Sequence, residues 1–285
     1  MNSIGLLVGE DADLPKDIIK NSPIDIFTFI VNWPSLNSSF SFYTQMRKPN
    51  IETPTTSQPS PKTFKNLFTD NLKKYQDIIV ITISSCFSGT YNSANQAKKI
   101  FSDKDQKRIH IVDSKTSSGS EAILVLKALQ LISSKKRLEI ILKRLKEIIP
   151  TLHLIGVFDD PTWLQKGGRI NTVQAMLVKN MLKMGFRPIL TIKNGQIITK
   201  KVQVNAKDKT GALFNEFREE INTKDLSKKI TVVITHSDCQ KDATKLKNMI
   251  NSFEESIKIE FINTISPVIG AHLGYDALLL SWIVE

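Results

Sequence analysis

The chain has 285 residues, 41% hydrophobic and 24% charged, the composition of a folded globular protein and not of a disordered or collagenous chain. No apolar run reaches the ~18–20 residues needed to span a bilayer, and the amino terminus turns acidic too early for a signal peptide, so a cytoplasmic protein of two domains is expected. The formal net charge of +11 admits nucleic acid, anionic membrane or an acidic partner; the lysines are scattered over helices without interleaved aromatics, which argues against nucleic acid and leaves a transient anionic membrane surface.

Ile4–Val8 reads as a first strand, followed by the acidic loop Gly9-Glu10-Asp11 and by Pro15, placed to open a short helix. Ile24–Val31 is a second apolar run. Phe42, Tyr43 and Met46 have helical spacing and are expected in the core. Thr53–Pro61, rich in Pro, Ser and Thr, is turn-forming and is expected to shape a pocket wall. A helix from Pro61 to Tyr75 leads to the run Ile78–Ile83, which is β-branched and almost wholly apolar, as a strand buried on both faces must be. Another strand, Ile109–Val112, precedes a long helix from Ser117 to Ile132 and an amphipathic basic helix over Lys135–Ile149. Pro150 closes that helix and reads as the boundary between domains 1–150 and 151–285.

The second half alternates in the same way. A strand at Leu152–Val157 is followed by Asp159–Asp160, by Lys166-Gly167-Gly168-Arg169 and by a helix over Asn171–Met184. Arg187–Lys193 and Gln196–Val202 flank Asn194-Gly195, the strongest short-range hairpin signal. Helices over Asp208–Asn222 and Gln240–Phe253 surround strands at Ile230–Thr235 and Lys258–Ile262. The carboxyl end carries a GAHLG loop at Gly270–Gly274 and the apolar run Leu278–Val284. The fold class is therefore α/β.

The candidate chemistry centres on Ser84, Ser85, Ser88, Gly89 and Thr90, between the carboxyl end of the Ile78–Ile83 strand and the next helix. Free N–H groups and a helix dipole at such a place suit a phosphate or a carboxylate, while the plain alternative is that Ser88 only caps the helix. Cys86 and Cys239 are the only cysteines; they suggest neither a disulfide framework nor a zinc site, and Cys86 is expected to be a buried spectator. His272, between two glycines near the end of the chain, is a candidate site residue. An enzyme using Ser88 or Cys86 as nucleophile for phosphoryl transfer or hydrolysis is the second reading. Against it stand the lack of a general base beside the serine, of a P-loop and of a clear metal-carboxylate cluster beyond Asp159–Asp160.

TSQPS at Thr56–Ser60, SSxxSGTYxSA at Ser84–Ala94, IVDSK at Ile111–Lys115, LxKGGRI at Leu164–Ile170, RPILTIKNG at Arg187–Gly195 and PVIGAHLG at Pro267–Gly274 occur in one order along the chain. Together they resemble the DegV family of bacterial fatty-acid-binding proteins, some of which are binding subunits of fatty acid kinase. The resemblance implies two α/β domains with a long-chain fatty acid between them, no other cofactor, no metal, and no catalytic residues of the chain's own. It implies that Thr56, Ser57, Ser88, Gly89 and His272 hold the carboxylate, that Thr90 and Gly274 shape the adjoining loops, and that Arg169 is a surface residue helping a kinase catalytic subunit to dock. The chain departs from the family pattern twice. Gly9-Glu10-Asp11 replaces a DST-like motif, where acids facing the ligand would repel a carboxylate. Lys201-Val202-Gln203-Val204 lacks the arginine of members that serve the kinase.

Overall fold

A computed structural model describes residues 3–34, 36, 41–204, 208–223, 228–254 and 256–285. The first half runs β1 (Ile4–Gly9), α1 (Lys16–Lys20), β2 (Ile24–Phe27), β3 (Ile30–Asn32), α2 (Phe42–Met46), β4 (Thr55–Ser57), α3 (Pro61–Lys74), β5 (Asp77–Thr82), α4 (Thr90–Lys98), α5 (Asp103–Gln106), β6 (Ile109–Asp113), α6 (Ser118–Ser133) and α7 (Leu138–Ile148). The second half runs β7 (His153–Val157), α8 (Thr162–Lys166), α9 (Thr172–Lys183), β8 (Arg187–Lys193), β9 (Gln196–Gln203), α10 (Lys209–Asn222), β10 (Ile230–His236), α11 (Gln240–Phe253), β11 (Lys258–Thr264), α12 (Pro267–Leu273) and β12 (Leu278–Val284). Among the described residues no helix is long and apolar enough to cross a membrane.

Two sheets organise the molecule. The first, β2-β1-β5-β6, is wholly parallel, and the second, β11-β10-β12-β7-β8-β9, is mixed, with only β10 and β11 parallel. β5 is buried at every position because both its faces are covered. Ile78 and Val80 pack on Phe64, Phe68, Ala94 and Ala97 of α3 and α4, whereas Ile79 and Ile81 face α6. Strands of the first sheet all lie before Pro150 and those of the second all after it. We keep Pro150 as the proposed boundary between the two α/β domains.

α6 lies between the sheets. Ala122, Ile123, Leu124 and Val125 are all fully buried, as a helix apolar on every side requires. Ile123 and its neighbours share one core with Leu6 and Ile79 of the first sheet and Val233 and Ile283 of the second. Each such side chain contributes about 1.5–3 kcal/mol by leaving water. The approach is close because Gly119 has no side chain: a Cβ there would lie 2.8 Å from Val233 Cγ1 and 3.0 Å from Ser281 Oγ.

The apolar run Ile24–Val31 is not one strand. It ends its pairing with β1 at Phe27, and β3 turns away to pair antiparallel with β4 in a separate two-stranded ribbon. Tyr43 and Met46 of α2 are buried with Trp33 and Trp163. Arg47, at the end of α2, bonds both Asp238 and Asp276 of the second half. The GAHLG segment is also not a loop. Gly270 to Leu273 form the end of α12, and the chain leaves the helix at Gly274 with φ +79°. A Cβ at Gly274 would in addition meet the Trp163 ring at 2.4 Å.

Candidate functional site

The second sheet, the loop after β5, the β4 segment and α12 line one cavity. Its apolar wall comes from both halves: Ile83 and Phe87 after β5, Leu154 of β7, Phe158, Leu164 of α8, Leu190 and Ile192 of β8, Ile197 of β9, Leu273 and Leu279. Its polar groups are Thr56, Gln58, Ser88, Ser117, Arg169, Thr191 and His272. The Thr191 hydroxyl is already spent on the Leu154 carbonyl at 2.7 Å, so it is turned back to the sheet.

Local rules place each wall. The loop at the carboxyl end of β5 opens the parallel sheet on the ligand side, as such folds usually do. Asn194 and Gly195 both have positive φ, the requirement of the tight hairpin turn between β8 and β9. The tip of that hairpin reaches the other half of the chain, where Ser84 Oγ donates to the Gly195 carbonyl at 2.9 Å. Asp113, at the end of β6, accepts from Ser85 N–H and Lys115 N–H and pairs with the Lys115 ammonium at 2.7 Å, fixing the same loop from below.

His272 Nε2 and Thr56 Oγ1 share a hydrogen bond of 2.8 Å across the two halves. The imidazole is buried, and burial first, then the Arg169 charge, pushes its pKa down to about 3. It is therefore neutral at physiological pH. Nδ1 has no hydrogen-bond partner among the described residues and lies against Gly167, where a Cβ would come within 2.1 Å of it. A buried unpaired N–H is rarer than a buried unpaired acceptor, so the proton belongs on Nε2. Nε2–H then donates to Thr56, and the threonine hydroxyl is left to donate elsewhere.

The expected site residues distribute as follows. Thr56, Ser88 and His272 line the cavity. Ser88 Oγ shares a bond of 2.8 Å with Thr90 Oγ1 and accepts from the Thr90 N–H, so buried Thr90 holds it in place at the start of α4. Ser57 is exposed and outside the wall, and Gln58 takes its place. The reason is the period of two: along the extended segment Thr56 and Gln58 share a face that Ser57 opposes. That signal is present in the TSQPS motif and identifies Gln58. The Gln58 amide covers Gly89, where a Cβ would lie 2.8 Å from Nε2.

Two expectations, on Arg169 and Cys86, are corrected, and the place of the acidic loop is found. Arg169 is not a surface side chain. It is half-buried in the cavity wall, donating to the Phe87 carbonyl at 3.0 Å and to the Gly167 carbonyl, and burial lowers its pKa. Cys86 is exposed, because the loop turns it outward from Ser84, while Cys239 is the buried thiol, bonded to the Ala277 carbonyl and pushed up to about 12 by burial. The acids of Gly9-Glu10-Asp11 do not face the cavity: Glu10 accepts the Phe29 N–H at 2.8 Å and Asp11 is turned into the core. Among the described residues no group of three or more His, Cys, Asp or Glu is placed to hold a metal ion.

Comparison with known proteins gives one consistent set. A sequence profile described as "Uncharacterised protein, DegV family" matches residues 4–285. The Protein DegV of Bacillus subtilis is 32% identical over 244 residues, 85% of this chain and 83% of that one. A fatty acid-binding protein of Thermotoga maritima is 28% identical over 283 residues, 95% of this chain and 94% of that one. A solved structure from Thermus thermophilus, described as showing fatty acid binding of a DegV family protein, superposes with a TM-score of 0.86 at 23% identity, covering 99% of this chain and 100% of the other. A stearic-acid-binding protein of Eubacterium ventriosum superposes with a TM-score of 0.85 at 18% identity, covering 100% and 98%.

Proposed function

Since the chain belongs to the DegV family, we propose that its cavity holds one long-chain fatty acid, with the acyl tail along the apolar wall and the carboxylate at the Thr56–His272 end. The observation that carries this reading is an apolar cavity that also bears hydrogen-bond donors on Thr56, Gln58, Ser88 and Arg169, with His272 orienting the Thr56 hydroxyl. A buried carboxylate needs such donors to remain ionised. A phosphorylated or sugar substrate would not need so apolar a wall. Neither Ser88 nor Cys86 is hydrogen-bonded to a histidine or a carboxylate among the described residues, so the geometry lends nothing to a nucleophile.

The carboxylate is then presented to a kinase catalytic subunit for acyl phosphate formation. An open cleft lined by Cys86, Phe87, Gly168, Arg169, Gln196 and Ile197 adjoins the cavity and shares Phe87, Arg169 and Ile197 with it. This is the side from which we expect the partner to reach the head group.

Loading from an anionic membrane surface fits α9. Ala175 and Val178 are buried, Val178 in one cluster with Leu164 and Phe158, while Val173, Met176, Leu177 and Met184 are each more than half exposed, with Lys179 and Lys183 among them. Apolar side chains flanked by lysines are suited to the boundary of an anionic bilayer. The protein should co-sediment with vesicles containing anionic phospholipid, and a Met176→Glu, Leu177→Glu double substitution should reduce the bound fraction about tenfold. Equal binding by the variant would reject α9 as the contact.

The test of the reading as a whole is denaturing extraction of the purified protein followed by mass spectrometry. About one equivalent of free fatty acid is expected. An extract without lipid, together with no binding of added fatty acid, would overturn it.

A further inference from the structure

Where α6 of the first half meets the start of β10 and β11 of the second, there is another pocket, which has no lining residue in common with the cavity. Side chains reach it from three directions. On α6, Ile123, Leu126, Lys127 and Gln130 recur at helical spacing and form one stripe. Lys229 and Thr231 alternate onto one side of the chain entering β10, and Lys258, the parallel partner of Thr231, lies beside them on β11. The register of β11 slips between Val232 and Val233 of β10, so Glu260 is the extra residue of a bulge and joins Lys258 in the wall.

Packing alone gives no reason for Thr231. It is 2% exposed, and its hydroxyl has no hydrogen-bond partner among the described residues. On the same face of β10, Val233 packs with Ile123 of α6 and Thr235 bonds Ser118 of α6, so Thr231 is turned to α6 as well. A valine would fill the same shape without leaving a buried polar group unpaired. The cations around it have donors to spare. Lys127, 7% exposed, pairs with Glu285, and Lys258 pairs with Glu260 at 2.9 Å. Lys229 has no ion pair among the described residues, so three lysines face two glutamates. Each ammonium has three N–H donors, more than the two carboxylates use.

We propose that this junction binds a phosphate group, free or on a small phosphomonoester, whose oxygens accept from the Thr231 hydroxyl and from the ammonium groups of Lys127, Lys229 and Lys258. Donors that arrive from one helix and two strands suit a tetrahedral oxyanion better than a planar carboxylate, which takes two parallel bonds from one side. Because α6 packs between the two sheets, the bound anion ties it to β10 and β11 and stabilises the folded chain. The site is independent of the fatty-acid reading.

Thermal unfolding and titration calorimetry test the site, with inorganic phosphate and methyl phosphate as probes against chloride of equal ionic strength. With a Kd of about 1 mM, about 20 mM phosphate should raise Tm by about 3 °C or more. Thr231→Val should be at least as stable as the wild type in chloride and should bind phosphate about tenfold or more weakly. Lys229→Gln, at an exposed position, should weaken binding about threefold or more. Binding of inorganic phosphate alone upholds the site with the free ion as ligand, and tighter binding of methyl phosphate upholds it with a phosphomonoester. No protection by either probe beyond chloride would overturn the site. So would protection that Thr231→Val retains, which would put the anion elsewhere on this basic protein. A Thr231→Val chain less stable in chloride would overturn it too, because the hydroxyl would then already be satisfied in the folded state.

Discussion

Extending a saturated fatty acid from twelve to sixteen carbons should tighten binding to this protein about two-hundredfold. The cavity wall is built from Ile83, Phe87, Leu154, Phe158, Leu164, Leu190, Ile192, Ile197, Leu273 and Leu279, and the added methylenes leave water for contact with those side chains. Each buried CH2 contributes ~0.8 kcal/mol, so four contribute about 3 kcal/mol, and a tenfold change corresponds to about 1.4 kcal/mol. The head group is common to the series and cancels. Competition against a fluorescent fatty acid, at concentrations below micelle formation, gives the Kd of each acid. The gain should stop once the tail outgrows the cavity, and that break measures its length. A series in which affinity rises less than about fivefold over the four carbons would mean that the tail stays in water.

His272→Ala should weaken fatty acid binding about 10- to 100-fold while leaving the protein folded. A hydrogen bond to a charged group contributes about 1.5–3 kcal/mol, and His272 acts by aiming the Thr56 hydroxyl. Gly167→Ala should give the same loss by another route. The backbone there, with φ −73°, accepts alanine, but the new methyl would stand 2.1 Å from His272 Nδ1, so the imidazole must leave its place. If both act through the same imidazole, the double variant should be no weaker than His272→Ala alone. Additive losses would show that Gly167 matters for another reason. The histidine also has a pH signature. Its folded pKa of about 3 lies below the ordinary value, so the unfolded chain takes up the proton first. Stability from this source is complete above about pH 6.5 and falls as pH drops toward 3, and His272→Ala should flatten that acid limb of the Tm profile.

The sequence by itself determined the alternation of elements. The β-branched run of β5, the Asn194-Gly195 hairpin and the apolar β12 were legible because backbone periodicity and turn chemistry are local properties. The family was also legible in the ordered motifs, and with it the expectation that Thr56, Ser88 and His272 share a wall. What only the tertiary structure decided is which way side chains point once distant segments meet. Arg169 turned inward because the carbonyls of Phe87 and Gly167 wait there; Cys86 turned outward on the same loop; Gln58 displaced Ser57 by strand alternation. Asp11 could not be read as a fully buried acid, since the α6 that covers it lies more than a hundred residues away and nothing in the acidic loop announces it. Local sequence sets the element, but burial, and with it charge state, is set by what packs against it.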